Sequence, residues 1–361
     1  MRVRILSAIL VLVAGSAFAE DVLGPAEYLQ LISGSKIHYN ILGQPSKTPV
    51  AVPECPRRDL STRVITKGTN KTLEPWIVAP AATKLLREAE ALYDAEKMAE
   101  AGEKYAAAIE ADPQAASAYF FYGDTLMFGA DDAERALEQY RKGIALDPTM
   151  PTGHFFASSA LVQLGRLEEA REQIIQALVY YPGYESVWKI ADEHPTYWNA
   201  RLTRFPFDPP AGYLGGDEKK GVDVYFGDAF AWSGYAICKA AWAHEKRFAG
   251  KHMKSGWSLE EERACVLNQA FSQYNATEAK LIDERKKSGE ANPVIPEREV
   301  RQALPPLERH LFDVAESQLI DGYILFEIVG RHCPLSLSTL SDEVLQQLEG
   351  YVRKYVVVKA E

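Results

Sequence analysis

Three segments of similar sequence follow one another between residues 81 and 182, and each ends at a proline. The prolines are Pro113, Pro148 and Pro182, and the segments before them read YAAAIEADP, YRKGIALDP and IIQALVYYP. Repetition at a period of about 34 residues is typical of a solenoid of paired helices. The sequence therefore predicts a mainly α-helical chain with about three such repeats, followed by a helical C-terminal domain.

Small residues and aromatic residues recur at matched places in the three segments. They are Ala89, Ala101, Tyr105 and Ala108 in the first, Gly123, Ala136 and Tyr140 in the second, and Gly165, Ala170, Ile174 and Ala177 in the third. This pattern, with its closing prolines, resembles the tetratricopeptide repeat family. The resemblance covers residues 81–182 and implies a surface that binds peptides or proteins and does not itself catalyse a reaction. The rest of the chain resembles no family that we identify from its residues.

The resemblance also implies that the first helix of each repeat faces the inner, concave surface. The residues predicted to bind a partner there are Leu86, Phe120, Phe121, Asp124, Phe128, Phe155 and Phe156. Two Phe-Phe pairs at matching positions predict a row of rings, and one reading of such a row is a groove for an apolar peptide or helix. The alternative is that these rings belong to the core or are covered by the rest of the chain. A clamp for a terminal carboxylate is not expected, because the Lys and Asn that such relatives use are absent.

The N-terminal 19 residues have the three parts of a secretory signal peptide. Arg2 and Arg4 precede an apolar run at residues 5–13, and Ala17-Phe18-Ala19 is a cleavage site before Glu20. The sequence therefore predicts a periplasmic or secreted protein. The formal net charge of −10 argues against nucleic acid as a partner. No later segment is long and apolar enough for a membrane span.

Composition divides the remainder of the chain. Residues 20–78 are a Pro/Gly-rich N-terminal segment, with a short helix at 26–32 and a strand at 36–42. We predict the repeats with a terminal cap at 79–204, a linker at 205–221 and the helical C-terminal domain at 222–361. Its helices are predicted at 222–246, 258–280, 307–329 and 341–354, the second opened by a capping box at Ser258.

Four cysteines allow two disulfides: Cys55, Cys238, Cys265 and Cys333. Cys238 and Cys265 lie at equal distances from a turn near residue 252, so an antiparallel helical hairpin brings them side by side. The sequence predicts a bridge between them and leaves Cys55 and Cys333 to pair. The alternative is a pair of buried, free thiols.

The residues show no recognised catalytic motif, and no cofactor or metal is predicted. His310, Asp313 and Glu316 lie one turn apart on a predicted helix, which is more typical of a solvated polar face than of a metal site. The favoured function is an exported scaffold or adaptor that binds a peptide or protein. The first alternative is an enzyme with its active site in the C-terminal helices and the repeats as a docking arm. The second is a structural role, with the repeats filled by that domain.

Overall fold

The computed structural model describes residues 23–45, 49, 53–217, 219–227, 230–251 and 258–360. The chain forms two compact units. The first, which we call the repeat unit, combines Glu54–Arg204 with the chain from Leu325 onward; the second, the mixed unit, combines the chain up to Pro53 with Phe205–Ile324. The predicted signal peptide lies outside the described residues. Among the residues described, no helix has the length and hydrophobicity needed to cross a bilayer.

One short helix and three strands precede the repeats. They are α1 (Pro25–Ser33) and β1 (Tyr39–Leu42) in the mixed unit, and β2 (Thr62–Lys67) and β3 (Asn70–Pro75) in the repeat unit. The helix covers the segment predicted for it and extends one residue beyond at each end, and the first strand falls within its predicted segment. Strands β2 and β3 form an antiparallel hairpin, and Gly68 supplies the positive φ of 63° in its turn.

Seven helices and a short strand follow in the repeat unit. They are α2 (Pro80–Asp94), α3 (Met98–Ala111), α4 (Ala116–Asp124), α5 (Ala133–Leu146), α6 (Pro151–Gln163), α7 (Leu167–Tyr180), α8 (Glu185–Glu193) and β4 (Ala200–Leu202). The pairs α2–α3, α4–α5 and α6–α7 pack together, and each forms one repeat. The prediction of a mainly α-helical chain with three repeats in its middle is confirmed.

Small side chains allow the repeat helices to approach closely. Ala89, Ala101 and Ala136 are completely buried. Gly123 lies so close to the Tyr140 ring that a Cβ at this position would overlap the ring. After α4 the helix widens into a π-turn at Thr125–Gly129, which takes up the extra length of the second repeat before α5 begins. The small residues that indicated the repeats in the sequence are therefore the contacts that hold their helices together.

The mixed unit combines a small sheet with helices. Strands β5 (Gly212–Asp217) and β6 (Gly221–Tyr225) join β1 in the order β1–β6–β5, with β1 parallel and β5 antiparallel to β6. The helices are α9 (Ser233–His244), α10 (Leu259–Lys287), α11 (Glu297–Ala303), α12 (Pro306–Glu316) and α13 (Ile320–Tyr323). Helix α9 packs against β5 and against α10. The Ser258 hydroxyl accepts the backbone N–H of Glu261 at 3.2 Å, which is the predicted cap of α10.

Several sequence expectations differ from the structure in this unit. The helix predicted at 307–329 is interrupted, because α12 ends at Glu316 and α13 begins only at Ile320. The predicted linker at 205–221 contains β5, and the helix predicted from Val222 begins at Ser233 because β6 occupies its first residues. Val222 and Val224 are buried while Asp223 is half-buried, which is the alternation of a strand. Gly221, with a φ of 101°, stands at the turn that reverses the chain from β5 into β6.

The end of the chain completes the repeat unit. It contains α14 (Gly330–His332), α15 (Asp342–Tyr351) and β7 (Val357–Lys359). Helix α15 packs on α7, and β7 pairs antiparallel with β4. A disulfide joins Cys55 to Cys333, with Cα atoms 4.5 Å apart. The chain from Leu325 therefore groups with the repeats, unlike the single domain predicted at 222–361.

Candidate functional site

The first helices of the repeats carry the residues predicted to bind a partner, and these residues differ in exposure. Leu86, Phe121, Phe155 and Phe156 are half-buried, Phe128 is 67% exposed, and Phe120 and Asp124 are buried. Leu86 packs partly against the alanines between α2 and α3. Five of the seven predicted residues therefore keep some surface that a partner can reach.

Phe120 departs from the prediction because its side chain is fully buried. The ring lies against Gly143 of α5 and Gly153 of α6, and a Cβ at either glycine would overlap it. Phe120 therefore belongs to the contact between the second and third repeats. A partner cannot touch it in the folded chain, and the expectation that its ring is exposed is wrong.

Phe121 and Phe156 each rest on a buried tyrosine of a second helix. The ring centroid of Phe121 lies 5.7 Å from that of Tyr105, and the centroid of Phe156 lies 5.6 Å from that of Tyr140. Both tyrosines are only 1% exposed. The half-buried phenylalanines are thus held from behind by rings that are fixed in the core, in the tilted geometries that aromatic pairs prefer.

The rings continue beyond the residues that the sequence singled out. Phe155 lies 5.9 Å from Phe156 and 5.0 Å from Tyr184, which in turn lies 5.3 Å from Tyr181. Tyr184 immediately precedes α8 and is half-buried. The sequence signal that could have pointed to Tyr184 is the group of tyrosines, Tyr180, Tyr181 and Tyr184, that flank Pro182. We call Phe121, Phe155, Phe156 and Tyr184 the aromatic row.

Phe128 stands apart from the aromatic row. It lies in the π-turn after α4, and among the described residues its ring contacts none of the row's rings. Phe128 lies inside this π-turn, whose hydrogen-bond spacing differs from that of α4. The structure therefore does not bring Phe128 together with the other predicted rings.

Asp124 is the predicted acid of this surface, and its side chain is only 7% exposed. The Tyr140 hydroxyl donates a hydrogen bond of 2.7 Å to its Oδ1. Burial raises the pKa of Asp124 to about 7, and the hydrogen bond from Tyr140 opposes this rise. The sequence identified the residue but gave no indication that its carboxyl group is buried.

Two further carboxylates lie in the neighbourhood of Asp124. The pKa of Tyr105 is raised by burial and, to a smaller extent, by the negative charges of Glu90, Asp124 and Asp94. Glu90 and Asp94 are exposed residues of α2. Three acidic side chains therefore act on the same buried tyrosine of the first repeat.

The mixed unit contains a buried ionic cluster between α9 and α10. The Lys239 Nζ lies 3.0 Å from Glu262 Oε2 and is also paired with Glu261, and the Tyr235 hydroxyl donates to Glu262 Oε1 at 2.6 Å. Burial alone would lower the pKa of Lys239, but the two carboxylates outweigh it and raise that pKa. Because these groups pair with one another, we interpret the cluster as a structural contact between α9 and α10. The alternative of an enzyme with its active site in the C-terminal helices stays a prediction.

His310 was expected on a solvated helix face, and this expectation is wrong. Its ring is only 5% exposed and stacks on Phe205 with centroids 3.6 Å apart. Burial lowers its pKa to about 4, so the imidazole is neutral at physiological pH. Within the described residues, no group of three His, Cys, Asp or Glu side chains is arranged to hold a metal ion.

The two cysteines of the predicted hairpin are joined in the structure. Cys238 on α9 and Cys265 on α10 form a disulfide with Cα atoms 5.3 Å apart, and both residues are completely buried. The bridge lies directly beside the ionic cluster, since Lys239 follows Cys238 in the chain. It therefore fixes the same pair of helices that the buried charges hold together.

Comparisons with known proteins concern the repeats. The family model described as tetratricopeptide repeat matches residues 86–151 and 128–185. No curated protein matches the chain.

Two solved structures illustrate the similarity. One is the first tetratricopeptide domain of Spaghetti (RPAP3) bound to the HSP90 peptide SRMEEVD, at 19% identity, covering 32% of this chain and 92% of that one, with a TM-score of 0.31. The other is the Yersinia enterocolitica type III secretion chaperone SycD in complex with a peptide of the translocator YopD, at 18% identity, covering 33% and 91%, with a TM-score of 0.30. Given the matched family model and the three helix pairs, residues 86–185 of this chain are tetratricopeptide repeats.

Proposed function

We propose that this chain is an exported scaffold or adaptor that binds a peptide or protein partner along the first helices of its repeats. The observation that carries the proposal is the aromatic row. Its four rings are half-buried; Phe121 and Phe156 rest on buried tyrosines, and Phe155 contacts both Phe156 and Tyr184. Leu86 adds a half-buried apolar side chain on α2.

Aromatic rings that remain partly exposed on a rigid frame are suited to binding. They offer a large apolar area, and because their positions are already fixed, little conformational entropy is lost when a partner covers them. Tyrosine adds a hydroxyl group that can bond to a partner's backbone. A helix or an extended segment with apolar side chains at regular spacing fits such a surface.

Export is supported by the chemistry of the chain. Two disulfides are typical of proteins that fold in an oxidising compartment, and residues 1–19 carry the predicted signal peptide. N-terminal sequencing of the protein from the periplasm or culture medium is expected to begin at Glu20. A protein that keeps Met1 in that fraction would contradict export by cleavage.

The binding proposal is tested by removing two rings of the aromatic row. The Phe121→Ser and Phe155→Ser double variant is expected to capture its partner at least about tenfold more weakly, because each lost ring removes a contact of about 1–2 kcal/mol. Capture is measured by affinity purification of the tagged protein from the envelope fraction, with quantitative mass spectrometry.

Phe230→Ser is the matched control. Phe230 is 74% exposed in the mixed unit, so the same chemical change there is expected to leave capture unchanged. The melting temperature of the double variant should fall little. A large fall would show that these rings act as core residues, and unchanged capture would contradict the proposal.

A further inference from the structure

The π-turn at Thr125–Gly129 interrupts the regular helix pair of the second repeat. The loop behind it is fixed by two hydrogen bonds. The Asp132 backbone N–H donates to the Leu126 carbonyl at 2.9 Å, and the Gln163 side chain donates to Asp131 Oδ1 at 2.7 Å. Asp131 has a φ of 53°, a left-handed conformation that is unfavourable for a residue with a side chain. Because π-turns and strained residues are enriched at functional sites, this turn indicates a use beyond joining two helices.

The turn holds an aromatic ring in the solvent. Phe128 is 67% exposed, although a phenylalanine gains free energy when its ring is buried. The hydrogen bonds behind the turn already fix the backbone that carries the ring. A partner that covers the ring would therefore bury a large apolar area and would order little additional chain.

A pocket of about 280 Å³ opens between α3 and the same π-turn. Gly102 and Leu126 in its lining are buried, whereas Ala99 and Gly129 are exposed, so the pocket reaches the solvent. Its volume is at the lower limit of small-molecule sites, which suits a single inserted side chain. Most of its lining is apolar: Met98, Ala99, Gly102, Ala106, Leu126 and Gly129.

Charged side chains of opposite sign lie on the two sides of this pocket. Glu103 lines it from α3 and is exposed. On the side of α5, the exposed Arg135 has its guanidinium nitrogen 3.5 Å from the hydroxyl of Tyr122, which also lines the pocket. A twofold axis that runs between the two sides would place the acid of each copy opposite the base of the other.

We propose that two copies of this chain associate through this surface, and that Phe128 of each copy enters the pocket of the other. One surface supplies both the ring and the pocket that receives it, which is the self-complementarity that a twofold contact requires. Such a contact closes at two copies, so the product is a dimer and not a filament. None of the residues that line the pocket belongs to the aromatic row, so the inference goes beyond the proposed function and does not depend on it.

Sedimentation equilibrium of the purified chain tests the proposal, at concentrations from about 0.1 to 100 μM, which cover small and reversible interfaces. The wild-type protein is expected to change from monomer to dimer within this range. Phe128→Ala removes the ring, and Ala99→Trp fills the pocket from its exposed wall. Each should raise the Kd of the dimer at least about tenfold. Phe230→Ala removes a ring that is 74% exposed in the mixed unit, and as the matched control it should leave the Kd unchanged.

A mixture of the two variants separates this contact from general adhesion of exposed rings. Phe128→Ala keeps the pocket and Ala99→Trp keeps the ring, so the mixture can form one ring-in-pocket contact whereas neither variant alone can form any. With one variant labelled, fluorescence anisotropy should therefore show tighter association in the mixture than in either variant alone. Ala106→Leu fills the same pocket from further along α3 and replaces Ala99→Trp if the tryptophan lowers the melting temperature.

Three results would overturn the inference. The first is a wild-type chain that stays monomeric over the whole range, which would leave the pocket to a different protein. The second is a dimer that both variants keep with unchanged Kd. The third is a mixture that associates no better than its components. None of these results would bear on the aromatic row, whose test uses other residues.

Discussion

At the scale of single residues, Phe120 fixes how the second and third repeats meet. Its ring fills the space left by two glycines, Gly143 and Gly153, and it is completely buried. Its neighbour Phe121 points to the surface and remains half-buried. Of these two adjacent phenylalanines, one therefore holds the repeats together and the other keeps part of its surface exposed.

Replacing Phe120 with alanine should destabilise the chain strongly. We expect Phe120→Ala to lower the free energy of unfolding by about 3–5 kcal/mol, because the cavity left between the repeats cannot close. Phe128→Ala makes the same change at a ring that is 67% exposed, and it should change that free energy by less than about 0.5 kcal/mol. Urea denaturation followed by circular dichroism measures both. Similar losses in the two variants would contradict the assignment of Phe120 to the core.

The sequence predicted which helices carry the half-buried rings better than it predicted the burial of each side chain. Adjacent residues on a helix point about 100° apart, and the two Phe-Phe pairs differ: Phe120 is buried beside half-buried Phe121, whereas Phe155 and Phe156 are both half-buried. The burial of Phe120 depends on glycines in two other helices, 23 and 33 residues away, and the burial of Asp124 depends on Tyr140. Periodicity within one helix does not contain that information.

At the scale of elements, the hairpin of α9 and α10 has two kinds of cross-link. The disulfide between Cys238 and Cys265 joins the helices covalently, and Lys239 pairs with two carboxylates of α10 beside it. A buried ion pair contributes little net stability but is costly to break, whereas a disulfide stabilises by restricting the unfolded chain. The bridge is therefore expected to be the larger net contribution.

Removing this bridge should destabilise the protein without changing the repeats. Cys238→Ala with Cys265→Ala opens a loop of 27 residues, and we expect the free energy of unfolding to fall by about 3 kcal/mol. The measurement is denaturation of both proteins with the Cys55–Cys333 bridge intact. Peptide mapping without reduction should recover the Cys238 and Cys265 peptides of the wild-type protein joined. Separate peptides, or equal stability of the two proteins, would count against this account.

Local signals in the sequence predicted elements well, and distant pairings were missed. The helix pairs, the Ser258 cap and the hairpin disulfide depend on residues close in sequence, and each is present in the structure. Strand β6 lies where the sequence predicts the start of a helix, because its alternation covers only five residues; it pairs with β5 next to it in the chain and with distant β1. Cys55 and Cys333, 278 residues apart, were paired only by elimination.

At the scale of the whole molecule, the chain forms a repeat unit and a mixed unit, and each is assembled from two separate stretches. The last residues return to the repeat unit, where β7 pairs with β4 and Cys333 is bonded to Cys55. A shift in composition along a sequence indicates a linker, but it does not show that a later stretch packs back on an earlier unit. The sequence therefore predicts one C-terminal domain at 222–361, whereas residues from Leu325 onward belong to the repeat unit. The repeats therefore carry additional structure of their own, and their aromatic row remains partly exposed.

The central claim is that the aromatic row contacts a partner, and site-specific photo-crosslinking tests it most directly. A benzophenone amino acid replaces Phe155 in one protein and Phe230, equally aromatic but in the mixed unit, in another. Because crosslinks form only within a few ångströms of the probe, the position-155 protein should yield a discrete adduct in the envelope fraction, and the position-230 protein should not. Adducts of the same partner from both positions, or from position 230 alone, would contradict the claim.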